Sequence, residues 1–197
     1  MKTLTTIMLV VYATLSATGQ GTLVFDQESS ADEAYPAGGV AIQFYGFVGQ
    51  SFTPSLSTVG FVRFKLYDGL RNNSQGATLV TTLRSNSVNG TVLGTSSALV
   101  LADNFSGSAN FLFPSPVAVV PGTTYFFQTV VQSGDNWGMT ALGDTYSTGI
   151  LYGGLQPFTG NDLWFREGIV VPEPGVGSIL VISSVWVALV RRNCQKK

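Results

Sequence analysis

The chain has 197 residues, 45% hydrophobic and only 11% charged, with a formal net charge of −1 and no histidine. Without imidazole a serine-type triad has no base and zinc and copper lose their commonest ligand. Between residues 20 and 170 five cations face ten carboxylates, a net −5, which argues against nucleic acid as a partner because that needs a basic footprint.

Met1-Lys2 is a minimal positive start, residues 3–14 are mostly apolar, and Leu15-Ser16-Ala17-Thr18-Gly19 supplies small residues. That order predicts a secretory signal peptide over 1–19, cut after Gly19 with Ala17 at the −3 position. An uncleaved first membrane helix is the competing assignment. Residues 20–39 are polar and carry Asp26, Glu28, Asp32 and Glu33. They read as an irregular entry arm with one short strand at Leu23-Val24-Phe25.

From Val40 the pattern becomes that of strands. Residues 41–48 form an aromatic-rich run. Residues 59–67 alternate, which predicts Val62, Phe64 and Leu66 facing the core and Arg63, Lys65 and Tyr67 facing outward. Asp68-Gly69 closes that strand, residues 78–85 form the next, and Asn89-Gly90 is a hairpin signal before Thr91-Val92-Leu93. Short strands follow at 98–102, 109–113 and 117–120, then a Pro121-Gly122 turn. Residues 123–132 are apolar on both faces, as in a central strand. Segments 137–142, 149–152 and 163–170 complete the set. Turn signals every 8–12 residues and the absence of a helical period predict an all-β antiparallel β-sandwich over residues 20–170. The stretches 50–66 and 113–125, with the turn Pro121-Gly122-Thr123-Thr124-Tyr125, resemble galactose-binding-like jelly rolls, which implies a jelly-roll-like sandwich.

Two clusters combine an indole with short polar side chains: Asp135-Asn136-Trp137 and Asn161-Asp162-Leu163-Trp164. Exposed rings beside hydroxyl-binding side chains would make a glycan platform. Alternatively both rings plug the ends of the sandwich. Oxygen-bearing loops at Asp103-Asn104, Asp135-Asn136, Asp144 and Asn161-Asp162 allow a structural Ca²⁺, although turn formation alone accounts for such residues. No cofactor is expected otherwise, and no two of the ten carboxylates are marked as a catalytic pair.

The last 27 residues have three parts. Val171-Pro172-Glu173-Pro174 comes first, then an uncharged apolar run over 175–190, then Arg191-Arg192 and Lys196-Lys197. Sixteen helical residues span roughly 24 Å, short of a ~30 Å hydrocarbon core but within reach of local thinning. The cations should stay in the cytoplasm. This order resembles the PEP-CTERM sorting signal, carried here by Val171, Pro172, Glu173, Pro174, Arg191 and Arg192. The resemblance implies recognition and cleavage by an exosortase-type membrane protease. It implies an exported protein, anchored in the inner membrane with its domain outside the cytoplasm, then released to the cell surface or beyond. The expected role is a non-catalytic envelope or extracellular-matrix protein; the alternative is a carbohydrate-binding module for exopolysaccharide.

Overall fold

The structure is a computed structural model that describes residues 21–173. The expected signal peptide over 1–19 and everything from Pro174 onward, including the span 175–190, Arg191 and Arg192, lie outside the described residues. Among the described residues no helix is long and apolar enough to cross a membrane.

Residues 22–171 form two packed antiparallel sheets, as the alternation predicted. The first is organised around β4 (Thr58–Asp68), whose neighbour along almost its whole length is the edge strand β8 (Ser106–Ala118). The other side of β4 is shared. β10 (Trp137–Gly143) pairs with residues 66–68 and β14 (Phe165–Val171) with residues 61–64. Beyond β14 lies β1 (Thr22–Glu28); β10 also pairs with β2 (Gly39–Ala41) through residues 138–140 and with β13 (Asn161–Leu163) through residues 141–143. The segment from β13 to β14 therefore enters the wedge where β10 diverges from β4.

The second sheet has β9 (Tyr125–Gly134) at its centre, between β3 (Val48–Phe52) and β5 (Ala77–Ser85). β11 (Leu151–Gly153) and β12 (Gln156–Phe158) extend it beyond β3. β6 (Val92–Thr95) and β7 (Leu99–Leu101) share the far side of β5. Both faces of residues 123–132 were read as apolar because this strand is central.

The core is aromatic. Phe52 stacks on Phe127 at 4.2 Å, Phe64 meets Phe127 edge-on at 6.0 Å, and Tyr146 meets Phe165 edge-on at 5.2 Å. Val62, Phe64 and Leu66 are fully buried in it, as their parity predicts.

Four details depart from the sequence reading. Lys65 is buried rather than exposed, because residues 29–36 cross the outer face of the first sheet and offer it carbonyls. The run 41–48 is not one strand: it passes from β2 through a one-turn helix, α1 (Ile42–Tyr45), into β3. Gly46, at φ +80°, ends that helix in a conformation only glycine adopts easily. The two short strands expected at 109–113 and 117–120 are one strand, β8, interrupted by a bulge. Val117 pairs with Val59 and Leu112 with Phe61, so Phe113-Pro114-Ser115-Pro116 lie opposite Gly60. The prolines stand where the ladder requires no donor from them. The β5–β6 reversal uses residues 86–91 rather than two, with Asn86 at φ +70°.

Candidate functional site

The registers give the sandwich two distinct ends. β4 runs from Thr58, paired with Ala118, to Asp68, paired with Trp137. Antiparallel pairing of Gly168 with Phe61 brings the end of β14 toward the Thr58 end. The loops 69–76, 102–105 and 135–136 gather at the opposite end.

That loop end holds an open cleft of about 670 Å³, lined among others by Ser74, Thr78, Val100, Asp103, Asn104 and Ser133. Val100 is 75% exposed and supplies an apolar surface among hydroxyl and amide groups. The walls are tightly made. A Cβ on Gly134, which has φ +109°, would come within 2.3 Å of the Gly76 carbonyl oxygen. Asn72, Ser74 and Asn104 all take left-handed backbone conformations, at φ 63°, 62° and 66°. Three such non-glycine residues in one loop cluster store strain that the surroundings must hold in place.

Carboxylates do the holding. Asp103 accepts the Asn72 N–H at 3.2 Å and the Ser74 N–H at 2.9 Å. Buried Asp68 accepts the Asn104 N–H and the Leu70 N–H, both at 2.8 Å. Burial alone would raise the Asp68 pKa, but the N–H donors of Asn104 and Leu70, with Asp103 and Arg71 adding to them, bring it below the usual range. Asp135 accepts the Asn73 amide at 2.6 Å through one oxygen and the Trp137 indole N–H at 2.9 Å through the other.

The two indole clusters, weighed as glycan-binding elements, do not converge. Trp137 is fully buried between the sheets, stacked near Phe105 at 6.3 Å. Trp164 is also fully buried, but on the outer face of the first sheet beneath residues 29–36, with its indole N–H on the Asp32 carbonyl at 3.0 Å. Both rings are buried and neither offers a face to a sugar, but Trp164 lies beneath the strap on the outer face rather than plugging an end of the sandwich. Asp135 and half-buried Asn136 belong to the loop end. Asp162 is fully buried, taking the Gln50 amide at 2.8 Å and the Thr145 and Tyr146 N–H groups at 3.0 and 2.7 Å. Asn161 is exposed beside it.

Among the described residues no three acids, histidines or cysteines come together as a metal site. The carboxylates of Asp68, Asp103, Asp135 and Asp162 each accept N–H donors of the protein itself.

A third constellation escaped the sequence reading because it joins distant segments. Glu33 bridges Arg63 at 3.2 Å and Arg166 at 2.7 Å, and Ser108 donates to its other oxygen at 3.2 Å. Both guanidiniums also lie over the Phe25 ring, at 5.3 and 5.2 Å. Lys65 donates to the carbonyls of Glu33 and Tyr35. The acids of the entry arm thus serve as a strap over the cations of the outer face. Periodicity alone shows which face Arg63 and Lys65 occupy, but not what covers them.

Val171 ends β14 exposed, and Pro172 and Glu173 follow it exposed and outside any strand. No protein-family model and no curated protein sequence matches this chain.

Proposed function

We propose that the chain is a non-catalytic exported protein of the cell envelope or extracellular matrix, a jelly-roll-like sandwich sorted by an exosortase-type membrane protease. The observation that carries this reading is the order Val171-Pro172-Glu173-Pro174, apolar run 175–190, Arg191-Arg192. The fold supports it in one respect. β14 lies between β1 and β4, paired with β4 through residues 165–168, shortly before the exposed chain begins at Val171. Two prolines then keep that chain out of both sheet and helix. A protease would meet extended backbone beside a domain that resists being drawn into its site. A non-catalytic role is supported by the loop-end carboxylates being committed to N–H donors rather than aimed at a substrate. The domain is placed outside the cytoplasm by the signal-peptide pattern at 1–19, and the inner membrane is engaged through 175–190.

Intact-mass measurement of protein from an exosortase-bearing host tests this. The expected species has lost everything after the motif, including Cys194. Recovery only of chains ending in Lys196-Lys197 would make the segment a plain single-pass anchor.

The cleft favours a second reading, binding of a neutral stretch of exopolysaccharide. Its hydroxyl and amide lining beside the exposed Val100 side chain suits a sugar ring, whereas the buried indoles do not. Equilibrium binding to purified exopolysaccharide tests it. Exposed Ser133→Trp should fill the cleft and abolish binding while leaving the melting temperature unchanged, and equal binding by both chains would refute the site.

A further inference from the structure

Glu167 lies on β14 with its side chain on the same face as Phe165, pointing between the sheets. It is 0% exposed, and neither of its carboxyl oxygens has a hydrogen-bond donor. A buried carboxylate left without donors is among the costliest groups a fold can hold. Its polar neighbour is another acid, Asp26 of β1. Two carboxylates in contact repel; a carboxyl and a carboxylate in contact share a hydrogen bond.

The surroundings show which of the two keeps the proton. Asp26 accepts the Ser55 N–H at 2.8 Å, the Leu56 N–H at 3.0 Å, the Ser55 hydroxyl and the Gln27 amide at 3.1 Å. Burial works against its charge, but those donors outweigh it and leave its pKa below the usual value. Glu167 has none of them. Burial first, and then the charge and contact of Asp26, push it up to about 9; the nearby Gln27 N–H opposes this but falls short of hydrogen-bond geometry. The cations of the neighbouring strands give no relief. Arg63 and Lys65 of β4 alternate with Val62, the partner of Glu167, and Arg166 alternates with Glu167 itself, so all three lie on the outer face with Phe25, Trp164 and Glu33. Among the described residues no third acid, histidine or cysteine joins the pair as a metal site.

We propose that Glu167 is kept protonated and donates to Asp26, and that this shared proton latches β1 and the 54–56 loop to the last strand, just before the exposed chain begins at Val171. Asp26 is the middle of the latch: it grips the loop through Ser55 and Leu56 and grips β14 through Glu167. Loss of the proton leaves two facing negative charges and frees β1 from β14. This end of the sandwich then loosens while β5 and β9, at the centre of the other sheet, stay closed. The latch is independent of whether the chain is cut after the motif.

Carbon-detected NMR of the side-chain carboxyls, on the full chain in detergent, reads the first half of the proposal. Glu167 should titrate several pH units above the ordinary glutamate value of 4.5, and Asp26→Asn should bring it down by more than one unit. Titration of Glu167 at the ordinary glutamate value would overturn the proposal. Amide exchange reads the second half, with residues 77–85 as internal reference. Protection of residues 22–28 and 165–171 should fall selectively as Glu167 titrates, and Glu167→Gln should remove that dependence. Should Glu167→Gln not fold, Asp26→Asn removes the facing charge instead and should likewise weaken the dependence of this protection on pH. Unchanged relative protection across the titration would overturn the latch.

Discussion

Trp137 shows how one side chain can serve the core and a loop at once. Its ring is fully buried near Phe105, and its indole N–H meets Asp135, which also holds Asn73. Trp137→Ala should cost about 3–5 kcal/mol, the usual range for truncating a buried aromatic. It should lower the melting temperature sharply, and a small change would show that the ring does not carry the packing assigned to it. Glu167 makes the opposite kind of contribution. Its folded pKa lies above its unfolded value, so the native state holds the proton more tightly. The associated stability is complete below pH ~4.5 and is lost as pH rises toward about 9, with a slope of at most about 1.4 kcal/mol per pH unit. Asp26 acts with the other sign, since its lowered pKa removes stability as pH falls through the acid range. Thermal midpoints should therefore decline from pH 5 to pH 9 in the natural chain and flatten in Glu167→Gln. A natural chain as stable at pH 9 as at pH 5 would contradict the assignment.

Among the elements, the strap over the first sheet is held by two kinds of contact of unequal worth. Ser29 is buried; its hydroxyl donates to the Leu163 carbonyl at 2.7 Å and accepts the Phe165 N–H at 2.9 Å. Ser29→Ala leaves both groups unpaired in a dry site and should cost about 1–3 kcal/mol. The Glu33 side chain is 45% exposed, so its ion pairs are screened and Glu33→Gln should cost no more than about 1 kcal/mol. Denaturant midpoints should rank the two variants in that order, and the reverse ranking would mean that the strap is held chiefly by charge.

Legibility in the sequence followed this same division. Alternation fixes which side of β4 each residue occupies, so Val62, Phe64 and Leu66 were readable as core. The fate of Lys65 depended on a strap 30 residues away in the chain, whose carbonyls no periodicity announces. The parity that puts Phe165 inward also puts Glu167 inward, a signal present in the sequence. Its partner Asp26, 141 positions earlier, was not. The indole clusters are ambiguous in sequence for a related reason: Asp135 holds the Asn73 amide and the Trp137 indole N–H, and Asp162 holds the Gln50 amide with the Thr145 and Tyr146 backbone N–H groups, partners that the local sequence mostly does not announce. The loop-end cleft was invisible because it is built from three loops distant in sequence.

At the scale of the molecule, the two ends of the sandwich divide the proposed tasks. The chain leaves β14 at one end, and the strained loops and the cleft occupy the other. Substituting the loop anchor should therefore leave processing intact. Asp68→Ala releases the Asn104 and Leu70 N–H groups and should destabilise the loop end by about 1–3 kcal/mol. The intact mass of the product recovered from the host should not change, and a processing defect in this variant would show that the two ends are coupled.

The wedge occupied by β13 and β14 has a further consequence, for timing. β4 cannot complete its pairing until residues 165–168 arrive, and among the described residues β1 pairs with β14 alone. Contacts such as Ser29 with Phe165 span 136 positions, the kind of long-range closure that makes β-proteins slow to fold. A chain threaded N-terminus first through a translocation channel would thus have β1, β4 and β8 outside the membrane with an unpaired edge until nearly the whole domain had followed. The final strand acts as a keystone. A chain ending at residue 160 should show no cooperative melt, because the first sheet closes only when residues 161–171 are present.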